Sequence, residues 1–305
     1  MENTAPTGTG AAVSSAPALP GRGLSDLAIR NWFIIPTIAF LIVFNIFPLL
    51  YSLGYSFTDY RASMNDPVHF IGLQNYRELL EDETIWANFT LTAKYVIMSV
   101  VGQVVVGFGA ALLLNRAIPA KGLLTTLLML PMMMCMAVVG LFWQLLYNPS
   151  WGIVNYVFFT EGKVWLSDPD AALLAIAITD IWMWAPFVML LSLAGLSAIP
   201  PSLYEAAAID RASRWFVFRR ITLPLVAPLL LIAIFFRTME AFKTFDIAFV
   251  MASMDETELV AIKLYKMAFH EWQTGRSCAL AYIVLLAVLA ITNVYVKYLN
   301  RLKAR

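Results

Sequence analysis

Long apolar stretches alternate with short polar connectors along almost the whole chain. Each stretch holds about 20 or more mostly apolar residues, the length that crosses the hydrocarbon core of a bilayer as a helix. The pattern predicts an all-α membrane protein with six transmembrane helices, at residues 32–57, 86–114, 123–147, 171–196, 223–248 and 276–298. Prolines within the stretches, such as Pro131 and Pro228, free backbone groups that only neighbouring helices can satisfy in lipid, so we expect a packed bundle.

The first 29 residues differ from the rest of the chain. They are rich in Ala, Pro, Thr, Ser and Gly and contain no aromatic residue. No basic cluster precedes an apolar stretch there, so residues 1–29 are predicted to form a disordered cytoplasmic tail rather than a signal peptide. The transmembrane domain then comprises residues 30–305.

Composition narrows the possible functions. The chain is 60% hydrophobic and only 13% charged, whereas soluble domains are about 25% charged. The 21 basic and 20 acidic residues nearly cancel, so no basic field would attract nucleic acid.

Cys135 and Cys278 lie in apolar runs far from both histidines, so no metal site is predicted. An intramembrane enzyme would need paired carboxylates or an H-E-x-x-H helix, and Asp180 and Asp246 form only a weak pair, so no catalytic residue is predicted.

The basic residues predict the orientation in the membrane. Short cytoplasmic loops hold an excess of Lys and Arg. With the N-terminus inside, the inner connectors carry basic residues such as Arg116, Lys121 and Arg219, whereas the outer loops are acidic, as at Glu81 and Asp255. We therefore expect both termini in the cytoplasm.

The connector at residues 198–222 is long for an inner loop and is patterned rather than merely polar. Two prolines should end the fourth span, and the S-x-x-E run from Ser202 to Glu205 fits a capping box that would begin a short Ala-rich helix. A second short segment, residues 214–221, should follow a break, and Pro224 would then open the fifth span. Periodicity alone fits an amphipathic connector on the membrane surface equally well.

This connector also carries a family motif. The run Glu205-Ala206-Ala207-Ala208-Ile209-Asp210, followed by Ala212, Trp215, Phe218, Ile221 and Leu223-Pro224, closely resembles the EAA loop of ABC-importer permeases. In that family the loop is a coupling helix that sits in a cleft of a cytoplasmic ATPase subunit. The resemblance implies an ATPase-coupling role for six residues here: Glu205, Ala206, Ala207, Asp210, Arg211 and Phe218.

One position departs from the motif. The family usually has glycine after the aspartate, where this chain has Arg211. If the turn needs a positive φ, arginine would be strained by about 1 kcal/mol or more relative to glycine.

The chain contains no G-x-x-x-x-G-K-[ST] run, so it has no Walker A loop for nucleotide phosphates. We expect no cofactor on this chain, with ATP and Mg held by two separate cytoplasmic ATPase subunits. The resemblance implies three further partners: a second, homologous permease subunit that completes a heterodimer, a periplasmic or extracellular solute-binding protein, and membrane lipid.

Ionisable residues end the otherwise apolar fifth stretch. Arg237, Glu240, Lys243 and Asp246 all lie near its end, and charges at such depth are costly unless they are paired or face a water-filled cavity. The spacing of three between the first three residues permits an ion network along one helix face. Direct contact with a solute is the equal alternative.

The region from Phe242 to Asp246, and the run Phe70-Ile71-Gly72-Leu73-Gln74-Asn75-Tyr76, resemble the maltose-type sugar permeases, and this resemblance covers nearly the whole chain from about Trp32. It implies a type I ABC-importer permease fold in the bacterial cytoplasmic (inner) membrane, with the solute passing at mid-membrane between this subunit and a similar one. Aromatic faces suit sugar CH surfaces and fixed polar groups suit hydroxyls. The substrate-pathway candidates are Phe242, Phe245, Asp246, Lys243, Glu240, Trp143 and Asp180. The first candidates are Phe242, Phe245 and Asp246. The weaker ones are Trp143, Gln144, Asp180, Trp182 and Trp184, because tryptophans near span ends commonly anchor at the membrane interface.

These features predict the transmembrane permease subunit of an ATP-driven importer for a sugar, a polyol or a sugar derivative. An ATPase-independent secondary transporter or channel is the alternative, whose sign would be an inverted repeat with broken helices, and no such repeat is visible in the sequence. Neutral sugars, polyols and acidic glycosides all stay open as solutes.

Overall fold

The computed structural model describes residues 26–63, 67–116, 118–158, 160, 162–251 and 257–303. The all-α prediction is confirmed, because these residues form helices and connectors with one isolated antiparallel bridge between Thr58 and Phe70. The helices are α1 (Asp26–Leu41), α2 (Phe47–Ser56), α3 (Gln74–Glu81), α4 (Glu83–Leu114), α5 (Lys121–Met129), α6 (Met136–Leu146), α7 (Ile153–Val157), α8 (Pro169–Ser197), α9 (Pro201–Ile209), α10 (Arg214–Val217), α11 (Leu223–Phe242), α12 (Asp246–Met251), α13 (Val260–Phe269) and α14 (Thr274–Lys303).

The chain divides into two compact units, Met1–Tyr51 and Ser52–Arg305. In the first unit, a π turn over Ile42–Ile46 joins α1 to α2. The predicted tail at residues 1–29 lies outside the described residues up to residue 25, and α1 begins at Asp26. The second unit contains all the predicted site residues.

Five helices among the described residues are long and apolar enough to cross a membrane: Arg30–Ser56, Glu83–Leu114, Pro169–Ser197, Arg214–Phe242 and Thr274–Lys297. The third predicted span, residues 123–147, is a bent pair, Lys121–Met133 and Met136–Leu146, whose two halves meet at 97°, and with this pair counted as one span the described residues hold six. The break falls at Pro131, one of the prolines expected to free backbone groups within its span. Pro131 cannot donate a backbone hydrogen bond, and the chain passes through a 3₁₀ turn at Leu130–Met133 before extending at Met134.

The fifth span also differs from its prediction at both ends. It runs without a break from Arg214 to Phe242, so residues 214–221 are not a separate segment and Pro224 does not open the span. A π turn at Phe218–Thr222 accommodates Pro224, which has no backbone N–H and would otherwise collide with the preceding turn. After Phe242 the chain turns, and α12 begins at Asp246, so residues 243–248 do not continue the span.

The core of the second unit lies where α4 and α8 cross. Gly107 on α4 is buried against α8, and a Cβ atom added there would overlap the Ala185 carbonyl oxygen and lie 2.8 Å from Val188 Cβ. Only a residue without a side chain allows this approach. The α4–α8 crossing thereby brings the polar residues of both helices face to face.

Candidate coupling segment and solute pathway

The predicted coupling helix is present as α9, Pro201–Ile209. Pro200 is its N-cap in an extended conformation, and Pro201 occupies the first helical position, where its missing N–H costs nothing. The predicted capping box is wrong, because Ser202 already lies inside the helix and no side chain caps the N-terminus. The proline pair sets the start of the helix instead.

One side of α9 packs on the protein and the other is free. Ala207 is buried, and the Tyr204 hydroxyl lies 3.2 Å from Thr222 Oγ1. Glu205, Ala206 and Asp210 are exposed. The exposed side therefore presents two carboxylates and a small residue, the features expected of a docking surface, while Ala207 is buried against the rest of the chain.

The turn after α9 has the geometry that makes glycine favourable. Arg211 has φ 51°, in the left-handed region. Its N–H donates to the Ala208 carbonyl at 3.1 Å, and the Ala212 N–H donates to the Ala207 carbonyl at 2.9 Å, which together form a Schellman motif. The condition for strain at Arg211 is therefore met.

A second helix begins directly after this turn. Ser213 caps it, since its Oγ accepts a hydrogen bond from the Phe216 N–H at 3.2 Å. Phe218 packs on Phe108 of α4, with ring centroids 6.2 Å apart, and on Trp215 at 5.6 Å. A cavity of about 250 Å³ lies between this helix and α9, bordered by Tyr204, Ala208 and Phe218 among others. Phe218 is therefore a packing residue that seats the coupling segment against α4.

A buried polar network joins α4, α8 and α11. Asp180 of α8 accepts hydrogen bonds from Ser99 Oγ and, at 2.7 Å, from Gln103 Nε2. Arg237 of α11 donates from Nη2 to both Asp180 carboxylate oxygens at 3.3 Å and from Nε to Gln103 Oε1 at 2.8 Å. The Arg237 guanidinium also lies over the Trp184 ring, 4.4 Å from its centroid.

This network changes the predicted pairing. Arg237 is not part of a helix-face network with Glu240, because its side chain points between α4 and α8 and is only 3% exposed. Glu240 pairs instead with Lys243, at 3.0 Å, and both side chains are 55% exposed. Burial of a single charge is prohibitive, so Asp180 and Gln103 determine where Arg237 points.

Aromatic rings gather where α11 ends. Phe245 packs on Phe249 at 4.9 Å between ring centroids and on Tyr265 of α13 at 5.0 Å, and Tyr265 continues to Phe269 at 5.0 Å. A cavity of about 310 Å³ opens among them, lined by Phe242, Lys243, Phe245, Val260, Ala261, Leu264, Tyr265, Phe269 and Val284. Asp246 is exposed at the start of α12 and does not line this cavity.

The tryptophan candidates form a separate group. The Trp143 ring lies 5.6 Å from Trp182 and 5.5 Å from Tyr147, and its buried Nε1 has no hydrogen-bond partner among the described residues. Gln144 is exposed. Trp184 belongs instead to the network around Arg237. The predicted pathway residues therefore lie in separate groups and do not form one site. Within the described ranges, no three His, Cys, Asp or Glu side chains group as metal ligands would.

Two residues of the network were not singled out from the sequence. Ser99 and Gln103 lie four residues apart in an apolar run, so they share one helix face. That spacing was the available signal, but it could not name their partners on other helices.

Two thirds of the chain match a known protein family in sequence. Residues 103–304, which include Gln103, Asp180 and Arg237 of the buried network as well as α9, match the family described as "Binding-protein-dependent transport system inner membrane component". The chain belongs to this family.

Relatives of this permease family match over nearly the full chain. It is 33% identical to the trehalose/maltose transport system permease protein MalF of Thermococcus litoralis, over 87% of this chain and 91% of that protein. It is 31% identical to the sulfoquinovosyl glycerol transport system permease protein SmoG of Agrobacterium fabrum, over 86% of each. The resemblance to maltose-type permeases is thus confirmed.

The fold agrees with solved transporters. A crystal structure of the bacterial alginate ABC transporter in complex with an alginate pentasaccharide-bound periplasmic protein contains a chain that superposes with a TM-score of 0.76 and 21% identity, covering 88% of this chain and 93% of that chain. The ABC-importer permease fold is therefore confirmed, and the chain is a multi-pass membrane protein.

Proposed function

We propose that this permease is one of two transmembrane subunits of an ATP-driven importer that carries a carbohydrate across the bacterial cytoplasmic membrane. Family membership and the sugar-transport names of its relatives support the substrate class. The observation that carries the proposal is the architecture of the coupling segment: a short helix with an exposed acidic side, linked by a tight turn to a continuous long helix.

The exposed side of α9 is the surface that a cytoplasmic ATPase subunit would hold. Glu205 and Asp210 would meet basic groups there, and Ala206 would permit close approach. Ala207, Arg211 and Phe218 act indirectly, because they position the helix and its turn. Both termini would lie in the cytoplasm, on the same side as this segment.

The helix Arg214–Phe242 would transmit the motion of α9 into the membrane. Its 29 residues span about 43 Å, enough to cross the bilayer. The Arg237–Asp180 pair fastens its far part to α8. A displacement of the cytoplasmic end of this helix would therefore also move Arg237 in the buried network and the aromatic cavity next to it.

The remaining machinery belongs to other chains. ATP and Mg would be bound by two ATPase subunits, a solute-binding protein would deliver the sugar, and a second, homologous permease would complete the pathway. This chain would contribute Phe242, Phe245 and Lys243 to that pathway, with Glu240 beside them. Asp180 would act through Arg237 rather than by touching the solute, because it is 1% exposed.

The decisive experiment is charge reversal on α9. Glu205→Lys should abolish ATP-driven uptake of the sugar delivered by the binding protein and reduce co-purification of the ATPase subunits, while the chain still inserts. Glu83→Lys, an exposed charge reversal at the start of α4, serves as the matched control and should keep the ATPase subunits attached. Normal uptake by Glu205→Lys in an intact complex, or uptake by this chain in vesicles without ATPase subunits, would overturn the proposal.

A further inference from the structure

The helix α9 is held on the rest of the protein by very few of its own side chains. All of its nine residues, Pro201–Ile209, are exposed except Tyr204 and Ala207. Ala207 contributes only a methyl group, and it borders the cavity of about 250 Å³ that also reaches Ala208 and Ala212. No large side chain fills this space beneath the helix, so the seating of α9 depends mainly on Tyr204.

Tyr204 makes two kinds of contact with the membrane helices. Its ring packs on an apolar cluster that includes Leu114 of α4, Leu196 of α8 and Val226 of α11. Its hydroxyl lies 3.2 Å from Oγ1 of Thr222, which is buried and ends the π turn directly before α11. Within the part of the chain that the structure describes, this is the only hydrogen bond from a side chain of α9 to another element.

We propose that Tyr204 is a positioning residue for the ATPase subunit, because its hydroxyl bond to Thr222 fixes α9 in the orientation that presents Glu205 and Asp210. This inference rests on the proposed function and adds how that docking surface is kept in place. Without the bond, the cavity beneath α9 leaves the helix free to turn about the Tyr204 ring. A partner that binds one orientation binds more weakly when that orientation is populated for only part of the time.

The test measures the dissociation constant of the ATPase subunits from the complete importer in nanodiscs, followed by mass photometry on dilution. Tyr204→Phe keeps the ring and removes its hydroxyl, and Thr222→Val removes the other hydroxyl at nearly equal volume. The net contribution of one hydrogen bond predicts that each variant raises this dissociation constant about three- to tenfold. The double variant should bind no more weakly than either single variant, because both remove the same bond. Thr222→Ser keeps the hydroxyl and should bind as the wild type does.

The control is the same substitution at another tyrosine hydroxyl. Tyr76 donates to Ser56 Oγ at 2.7 Å, and three spans separate it from α9, which places the two on opposite sides of the membrane. Tyr76→Phe should therefore leave the dissociation constant unchanged.

Three results would each overturn the inference: wild-type affinity in Tyr204→Phe or in Thr222→Val, a double variant whose loss equals the product of the two single losses, or an equal loss in Tyr76→Phe. Failure of the proposed function gives a different result, namely ATPase subunits that stay attached to Glu205→Lys. The two failures are therefore distinguishable.

Discussion

Arg237 Nη2 lies 3.3 Å from both carboxylate oxygens of Asp180, and the two side chains are 3% and 2% exposed. The pair joins α8 to α11 inside the bundle, and every charged group in it is hydrogen-bonded. Breaking a buried pair leaves an uncompensated charge, which costs far more than loss of a surface pair.

Removal of one partner should therefore destabilise the subunit strongly. We expect Asp180→Asn to lower the free energy of unfolding by about 3–5 kcal/mol, because Arg237 then lacks its counter-charge. The thermal midpoint of the purified importer in detergent measures this. The double variant Asp180→Leu with Arg237→Met should recover most of the loss, whereas Glu81→Gln, in an exposed pair with Arg77, should cost at most about 1 kcal/mol. A double variant as unstable as the single one would contradict the assignment.

Gly107 should tolerate no side chain. Gly107→Ala places Cβ against the Ala185 carbonyl and Val188, so we expect a loss of about 1–3 kcal/mol from overpacking at the α4–α8 crossing. Gly109, on the same helix, has no atom within 4 Å of an added Cβ. Gly109→Ala should be neutral or slightly stabilising, as measured by the same thermal midpoint. Equal effects of the two variants would show that the crossing is not close-packed.

Arg211 should be improved by glycine. Its φ of 51° costs a residue with a Cβ about 1 kcal/mol relative to glycine, so Arg211→Gly should stabilise the turn after α9 by that amount. Arg214→Gly, three residues further and in a helical turn, should instead destabilise by about 1 kcal/mol. The rate at which a protease cleaves the turn after α9 in the assembled importer measures the stability effect of each of the two variants. A loss of resistance in Arg211→Gly would mean that the arginine side chain has a contact worth more than the backbone strain.

The N-cap of α4 should make stability depend on pH. Hydrogen bonds from the Thr84 hydroxyl, at 2.6 Å, and the Thr84 N–H, together with the charge of Arg276 at 3.1 Å, hold the pKa of Asp82 below its ordinary value against an opposing effect of burial. A lowered folded-state pKa contributes stability above the unfolded-state value of about 3.9, and this stability is lost as pH falls through the folded-state pKa.

The stability difference between wild type and Asp82→Asn should therefore be largest near neutral pH and disappear in strong acid. Thermal midpoints measured from pH 7 down to about pH 2 test this, because the series must pass below the folded-state pKa, and Glu83→Gln serves as the neighbouring control. If the difference in thermal midpoint between the wild type and Asp82→Asn stays constant over the whole pH range, the charge of Asp82 does not contribute to stability.

Features set by neighbouring residues and features set by packing differ in how far the sequence predicted them. The spans followed from the length and hydropathy of each stretch, and the short helix α9 followed from the local pattern around Glu205. Both depend on residues close together in the chain. Two expectations that failed, a fifth span that opens at Pro224 and a capping box at Ser202, involve proline, whereas a third, the extension of the fifth span beyond Phe242, does not. The effect of a proline depends on which neighbouring groups can accommodate it.

The site residues divide in the same way. The local pair of Glu240 and Lys243, three residues apart, could be read from spacing. The partner of Arg237 could not, because Asp180 is 57 residues away in the chain and is brought near only by the packing of α8 against α4 and α11. The inward position of Ala207 and the contact of Phe245 with Tyr265 likewise required the packed helices.

By itself the sequence determined that the chain is an all-helical membrane protein with a short helix on the connector at residues 198–222, since apolar length and local motif suffice for that. Only the tertiary structure decided which charges neutralise one another and which aromatic rings enclose a cavity. Electrostatic pairing and packing act through space, over a few ångströms, between residues that the chain order keeps far apart.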